Sequence, residues 1–110
     1  MRQILDNLGF STKYKGYTML LEAIEMATED EEKASKLSRF IYPEVAKRHD
    51  MSPSGVEKSI QRVIRSFWEN GNRSLYCKIA GYEVTKRPAN AAFINTVASY
   101  IIRSRGNQQQ

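Results

Sequence analysis

The sequence predicts a single all-α domain of about six helices built around a helix-turn-helix, without a prominent sheet. Three observations carry this. Apolar residues recur at three- and four-residue spacing along most of the chain, no segment sustains strand alternation, and "AKRHDMSPSGV" has the spacing of two helices joined by a tight turn. At 110 residues the chain has the length of one domain with one modest core.

In "RQILDNLGF" the residues Ile4, Leu5 and Leu8 share a face and Gly9 follows, which predicts a short first helix closed by a left-handed residue. Beyond the polar "STKYKGY", the residues Tyr17, Leu20, Leu21, Ile24 and Ala27 mark a second, amphipathic helix, with Glu22, Glu25 and Glu29 off its apolar face. The acidic run Glu29–Glu32 reads as a solvated helix junction, and Thr28-x-x-Glu31 has capping-box spacing. From Ala34 to Arg48 the pattern is again helical but contains Pro43. Proline disfavours helical geometry in the residue before it, so a break is expected near Tyr42, with a new short helix from Pro43 to about Arg48.

The next helix is expected from Ser54 to about Asn70, opened by a capping box Ser54-x-x-Glu57 and stopped at "NGN", where Gly71 suits a positive-φ position. "SLYCKIAGYEV" reads as a short apolar segment ending in a glycine turn, within which "YEVT" has the character of a brief strand, and "TKRPAN" as a basic loop. Asn90 is expected to cap a last helix with Phe93, Ile94, Val97 and Ile101 on its apolar face. The domain is expected to span residues 1–104, with 105–110 a disordered tail.

Composition removes several function classes. Hydrophobic residues at 41% and charged residues at 26% are near globular averages. The apolar runs are too short to cross a bilayer and the N-terminus lacks a signal peptide's apolar core, so a cytoplasmic, nucleoid-associated protein without a membrane partner is expected. Cys77 and His49 are the only residues of their types, too few for a cysteine/histidine metal site, and both read as structural positions; no metal and no cofactor are expected. There is no phosphate-cradling glycine loop and no convincing nucleophile-base pairing, so the chain is not expected to be an enzyme.

Charge is more informative once located. Residues 1–32 hold three Lys/Arg against seven Asp/Glu, a balance of −4, whereas residues 33–110 hold fourteen against five, a balance of +9. A polyanion would be met by the basic two-thirds.

Within that part, the helix-turn-helix residues are Ala46, small where the two helices pack closely, Asp50, which tolerates left-handed geometry in the turn, Met51 as an apolar plug, and Val56 as the anchor of the second helix. At 100° per residue Val56, Ile60, Val63 and Phe67 form a core side with Ile64 beside them. The opposite stripe is Ser54, Lys58, Gln61 and Arg65, flanked by Glu57 and Arg62. These side chains have the donors and acceptors to address base edges or phosphate oxygens in double-stranded DNA. A solvated helix face is the plainer reading of the same stripe.

Longer segments carry a family likeness: "KGYTMLLEAI", "IYPEVAKRHDMSPSGVEKSI", "FWENGN", and "GYEV" followed by "PANAAFINTVA". From "ILDNLG" to about Ile102 the chain resembles the C-terminal DNA-binding effector domain of the response regulator that initiates sporulation, stage-zero sporulation protein A. The resemblance implies an all-helical, winged-helix-like effector domain of about six helices without a prominent sheet, with a recognition helix from Ser54 lying in the major groove. It also implies short DNA boxes bound by tandem head-to-tail copies, with RNA polymerase or a related full-length regulator as protein partners. Carried onto this chain, Gly55, Glu57, Lys58 and Gln61 occupy the positions that address DNA, and Lys86 and Arg87 fall in the basic loop before the last helix. Where the family pattern has arginines, this chain has Gly55, Lys58 and Gln61, while Glu57 is retained; the loop before Pro88 is shorter.

Arginine's planar fork binds a guanine edge through two bonds, lysine is a point donor, and glycine offers no side chain, so a changed sequence preference is expected. Arg62 and Arg65, with Lys86 and Arg87, are expected to hold the phosphate backbone. No segment supplies the family's phosphorylatable receiver, so the chain is expected to be an excised domain or a stand-alone regulator. The competing expectation, motivated by Gly55 and Gln61, is a protein-interaction module that modulates a related full-length regulator without reading DNA.

Overall fold

A computed structural model of the chain describes residues 2–108, with side chains described through Arg105. Seven α-helices and one π-helical turn are present and no strand occurs among the described residues: α1 (Arg2–Leu8), α2 (Lys15–Glu29), α3 (Glu31–Ala34), the π-helical turn (Leu37–Ile41), α4 (Tyr42–Arg48), α5 (Pro53–Asn70), α6 (Arg73–Ala80) and α7 (Asn90–Gln108). The all-α class stands, and the additional helix is α6, in the segment read as a short apolar stretch ending in a glycine turn. Asn72 caps α6 by accepting from the Leu75 amide at 3.0 Å, and Gly81 ends it in the left-handed region. The "YEVT" segment does not pair as a strand; Val84 turns back on α6, its amide 3.3 Å from the Cys77 Sγ.

The most enclosed helix is α2, which packs against α4, α5 and α7. Its predicted apolar residues Tyr17, Leu20, Leu21, Ile24 and Ala27 are all buried, and so are Met19, Ala23 and Met26. Burial extends around more of the circumference than the sequence stripe indicates, because other elements cover α2 from several sides. At its start, Gly16 lies against α5: a Cβ there would overlap Val63 Cγ2 and the Ser59 carbonyl. Tyr17 donates from its hydroxyl to Asp6 Oδ1 at 2.9 Å, which ties α2 to α1.

Four aromatic rings join the rest of the core. Phe10 stacks on Phe67 with centroids 4.9 Å apart, Tyr76 stacks on Phe93 at 5.2 Å, and Phe67 meets Phe93 edge-on at 5.6 Å. Offset-stacked and edge-to-face pairs add to the burial of large apolar rings. The cluster fastens the exit of α1, the end of α5, and α6 and α7 to one another. Backbone approach assists it. Gly9, at φ +94°, closes α1 with its amide on the Asp6 carbonyl and the Phe10 amide on the Leu5 carbonyl, a Schellman arrangement. Gly71 is needed for a different reason from the one expected: its φ is −97°, but an added Cβ would come within 2.6 Å of the Leu8 carbonyl oxygen. The adjacent Asn72 amide donates to that same carbonyl at 2.8 Å.

Several local expectations are corrected. Asp30, rather than Thr28, caps α3, accepting from the Glu32 and Lys33 amides at 3.0 and 3.3 Å, while Thr28 donates back to the Glu25 carbonyl. The break expected near Tyr42 falls earlier, at Lys36 (φ −132°, ψ 62°), and Tyr42 itself is helical at φ −60°, ψ −43°. A proline ring clashes with the carbonyl four residues before it and lacks a donor. The Tyr42 amide instead closes a wider turn onto the Leu37 carbonyl, which accommodates Pro43 without ending the helical path. Asn90 does not precede the last helix but begins it. The helix backbone runs on through residues 105–108, past the boundary expected at 104; residues 109–110 of the expected tail lie outside the described residues.

Gly16→Ala is expected to destabilise the fold by about 1–3 kcal/mol, the usual cost of forcing atoms into a packed contact. Urea unfolding, with an unchanged dependence on denaturant, measures it; an unaltered midpoint would mean that the α2–α5 contact is not tight.

Candidate nucleic-acid interface

The turn between α4 and α5 follows from a few side chains. Ala46 and Val56 are buried where the helices meet. Asp50 adopts φ +53°, which Asp tolerates better than most non-glycine residues, and lets the Met51 amide reach the Ala46 carbonyl at 2.9 Å. Met51 packs on the core edge as a plug. Ser52 then caps α5, its hydroxyl oxygen accepting from the Gly55 amide at 3.0 Å, with Pro53 in the first turn. The expected capping box Ser54-x-x-Glu57 is therefore displaced: the cap falls two residues earlier, at Ser52, and Ser54 already stands inside the helix. The side chains of Ser54 and Glu57 are left uncommitted by the cap.

A polar anchor ties this motif to the core. His49 Nε2 lies 2.9 Å from Glu22 Oε1, and Arg48 lies 3.6 Å from both Glu22 and Glu44 carboxylate oxygens. His49 is structural, as its sequence context indicates, but its partner on α2 is 27 positions away and no local pattern marks the pair.

The two sides of α5 separate as the helical spacing predicts. Val56, Ile60, Val63, Ile64 and Phe67 are buried, whereas Ser54, Glu57, Lys58, Gln61, Arg62 and Arg65 are exposed. Gly55 is the exception among the predicted site residues. It is half-buried beside the turn, and a Cβ there would lie 3.2 Å from Met51 Cε and from Ser52 Oγ. Lys86 and Arg87 are exposed in the loop before α7. None of the cations Lys58, Arg62, Arg65, Lys86 and Arg87 belongs to an ion pair among the described residues, so each is free to meet an external anion.

An open groove of about 690 Å³ runs along one edge of α5 and brings Glu57 and Gln61 together with Arg87. Lys86 is not part of its lining. The segment from α3 into the π-helical turn also lines it, including Lys36 and Arg39, which helical periodicity marks only as ordinary helix surface. Asn90 fixes the floor. Its Nδ2 donates to the Tyr42 hydroxyl at 3.2 Å and to the Glu57 carbonyl at 3.0 Å, joining α7, α4 and α5. Burial raises the Tyr42 phenol above its ordinary pKa, an effect opposed by the Asn90 hydrogen bond, so the hydroxyl is neutral at physiological pH and serves as acceptor.

The arrangement presents polar and cationic side chains on one rigid helix, with further cations along the adjoining groove. It offers no clustered metal ligands: no group of three or more His, Cys, Asp or Glu is placed to hold an ion among the described residues. No helix among them is long and apolar enough to cross a membrane.

Because Ser52 makes the cap, Ser52→Ala is expected to cost about 1 kcal/mol, whereas Ser54→Ala changes stability by less than about 0.5 kcal/mol, as for an unengaged surface residue. Thermal unfolding of the two variants distinguishes them, and equal losses would restore Ser54 as the cap.

Compared with known families, residues 1–101 match the family described as Sporulation initiation factor Spo0A C terminal.

Proposed function

The chain belongs to the family of Sporulation initiation factor Spo0A C-terminal domains, DNA-binding effector domains of sporulation regulators, and from this premise we propose that it is a sequence-specific transcriptional regulator that reads DNA with α5. The observation that carries the reading is the exposed, uncommitted polar stripe of α5, opposite a face wholly given to the core. A major groove about 12 Å wide admits one α-helix, and the amino-terminal part of a recognition helix lies nearest the bases. Ser54, Glu57, Lys58 and Gln61 are placed for base edges: lysine donates to guanine, a glutamine amide pairs with adenine, and a carboxylate accepts from cytosine. Gly55 contributes close backbone approach beside the turn rather than a side-chain contact.

Arg62 and Arg65, farther along α5, together with Lys86 and Arg87 from the loop, take the phosphates and set orientation without carrying sequence information. With Gly55, Lys58 and Gln61 standing where the family pattern has arginines, the preferred box differs from one read by arginine forks, while backbone affinity is retained. Tandem head-to-tail copies on adjacent boxes, presenting their outer faces to RNA polymerase or a related regulator, complete the proposal.

A titration of affinity against salt, on DNA chosen by random-sequence selection, tests it. Affinity is expected to fall steeply with salt, and Arg65→Ala to reduce the slope of log K against log salt by about 0.9 while weakening all sequences alike. Lys58→Ala is expected to lower discrimination at one base position by about 1 kcal/mol or more. Exchange of those two outcomes would reverse the assigned roles. Failure to bind a broad promoter pool at low salt, with capture of a related full-length regulator, would replace DNA reading by the protein-interaction function.

A further inference from the structure

The groove beside α5 has a second wall that the DNA-reading proposal does not use. Lys36, just before the π-helical turn, and Arg39, within it, are both exposed and line the groove, and Arg87 lines it from the loop before α7. None of the three is in an ion pair among the described residues, although the acidic run Glu29–Glu32 is close in sequence to Lys36. Glu57, at the α5 edge, is the only acidic residue among the described residues that line it.

We propose that this groove is a channel for the DNA sugar-phosphate strand flanking the bases read by α5, gripped by Lys36, Arg39 and Arg87. The inference rests on the proposed reading of DNA by α5 and extends its phosphate contacts to Lys36 and Arg39.

Three observations select this occupant. The groove is continuous with the reading stripe, because Glu57 and Gln61 belong to both, so a duplex seated on α5 brings its backbone along the same edge. The cations come from two segments of the lining far apart in sequence and belong to no ion pair among the described residues, which suits a polyanion whose charge repeats along its length. The walls are also preorganised. The Asn90 hydrogen bonds hold α7 against α4 and α5, and the Arg39 guanidinium lies 5.7 Å from the Phe40 ring centroid, which restrains a flexible side chain. The widened turn that accommodates Pro43 thereby also sets the position of the outer wall.

The test uses the full chain and DNA obtained by random-sequence selection, with affinity measured by fluorescence anisotropy over a range of salt. Replacing Lys36→Gln together with Arg39→Gln removes both charges while retaining long side chains, and thermal unfolding checks that the fold persists. The salt slope is expected to fall by about 1.8, corresponding to two released counterions, with the selected base preference unchanged. Hydroxyl-radical footprinting is expected to show loss of protection on one strand beside the box. Arg39→Lys, paired with native Lys36, retains the slope. Lys78→Ala, on α6 and outside the groove lining, leaves both slope and footprint unchanged.

An unaltered slope in the double variant, while Arg65→Ala still lowers it, would overturn the channel and leave DNA reading by α5 intact. A changed base preference would likewise overturn it, since phosphate contacts carry no sequence information. Absence of DNA binding by the unmodified chain would instead remove the underlying reading, and this proposal with it.

Discussion

The close crossing of α2 and α5 at Gly16 sets the placement of the recognition motif. With no side chain at that point, the backbone of α2 reaches Ser59 and Val63 on α5, and the core face of the longer helix settles onto the most buried helix of the fold. Interiors are close-packed and resist small displacements. Once the inner face of α5 is held in this way, its 3.6-residue period presents Ser54, Lys58, Gln61 and Arg65 outward together. Their presentation is thus a consequence of packing on the other side of the helix.

Two further constraints turn that helix into one part of a larger surface. The left-handed Asp50 and the cap made by Ser52 set where α5 begins, while the His49–Glu22 contact anchors the preceding helix to α2. Pro43 acts from within the chain. By requiring a wider turn before α4, it carries Arg39 on a helical path that begins just after the break at Lys36, and both residues line the groove with Glu57 and Arg87. Asn90 then spans three helices with one amide. Stability and surface geometry are therefore maintained by the same small set of residues.

The candidate site was partly legible because helical periodicity separates inward from outward side chains without knowledge of the neighbours. Val56, Ile60, Val63 and Phe67 are buried, and the polar residues assigned to the opposite stripe are exposed. Gly55 was placed with them by position along the family pattern, yet it lies beside Met51 and Ser52 because helix-turn-helix packing folds the turn against it. Lys36 and Arg39 escaped notice because their significance depends on proximity to residues some fifty positions away in sequence. Their local context is that of any solvated helix.

Capping shows the same division at finer scale. Ser52, Ser54, Thr28 and Asp30 all have suitable chemistry, and spacing favoured the wrong member of each pair. Selection between adjacent caps depends on the backbone angles at which the chain enters the helix, and those angles follow from how the flanking helices pack.

By itself, the sequence determined the all-α class, the inner and outer faces of α5, the left-handed turn at Asp50 and the concentration of positive charge after residue 32. Each follows from side-chain chemistry repeated at short, regular separations. Only the tertiary structure decided that "RSLYCKIA" is helical, that Gly71 makes room for a neighbouring carbonyl, that Asn90 is a tie rather than a cap, and that Lys36 and Arg39 line the same groove as Glu57 and Gln61 of α5. Those outcomes depend on which distant segments meet, and long-range contact has no period along the chain.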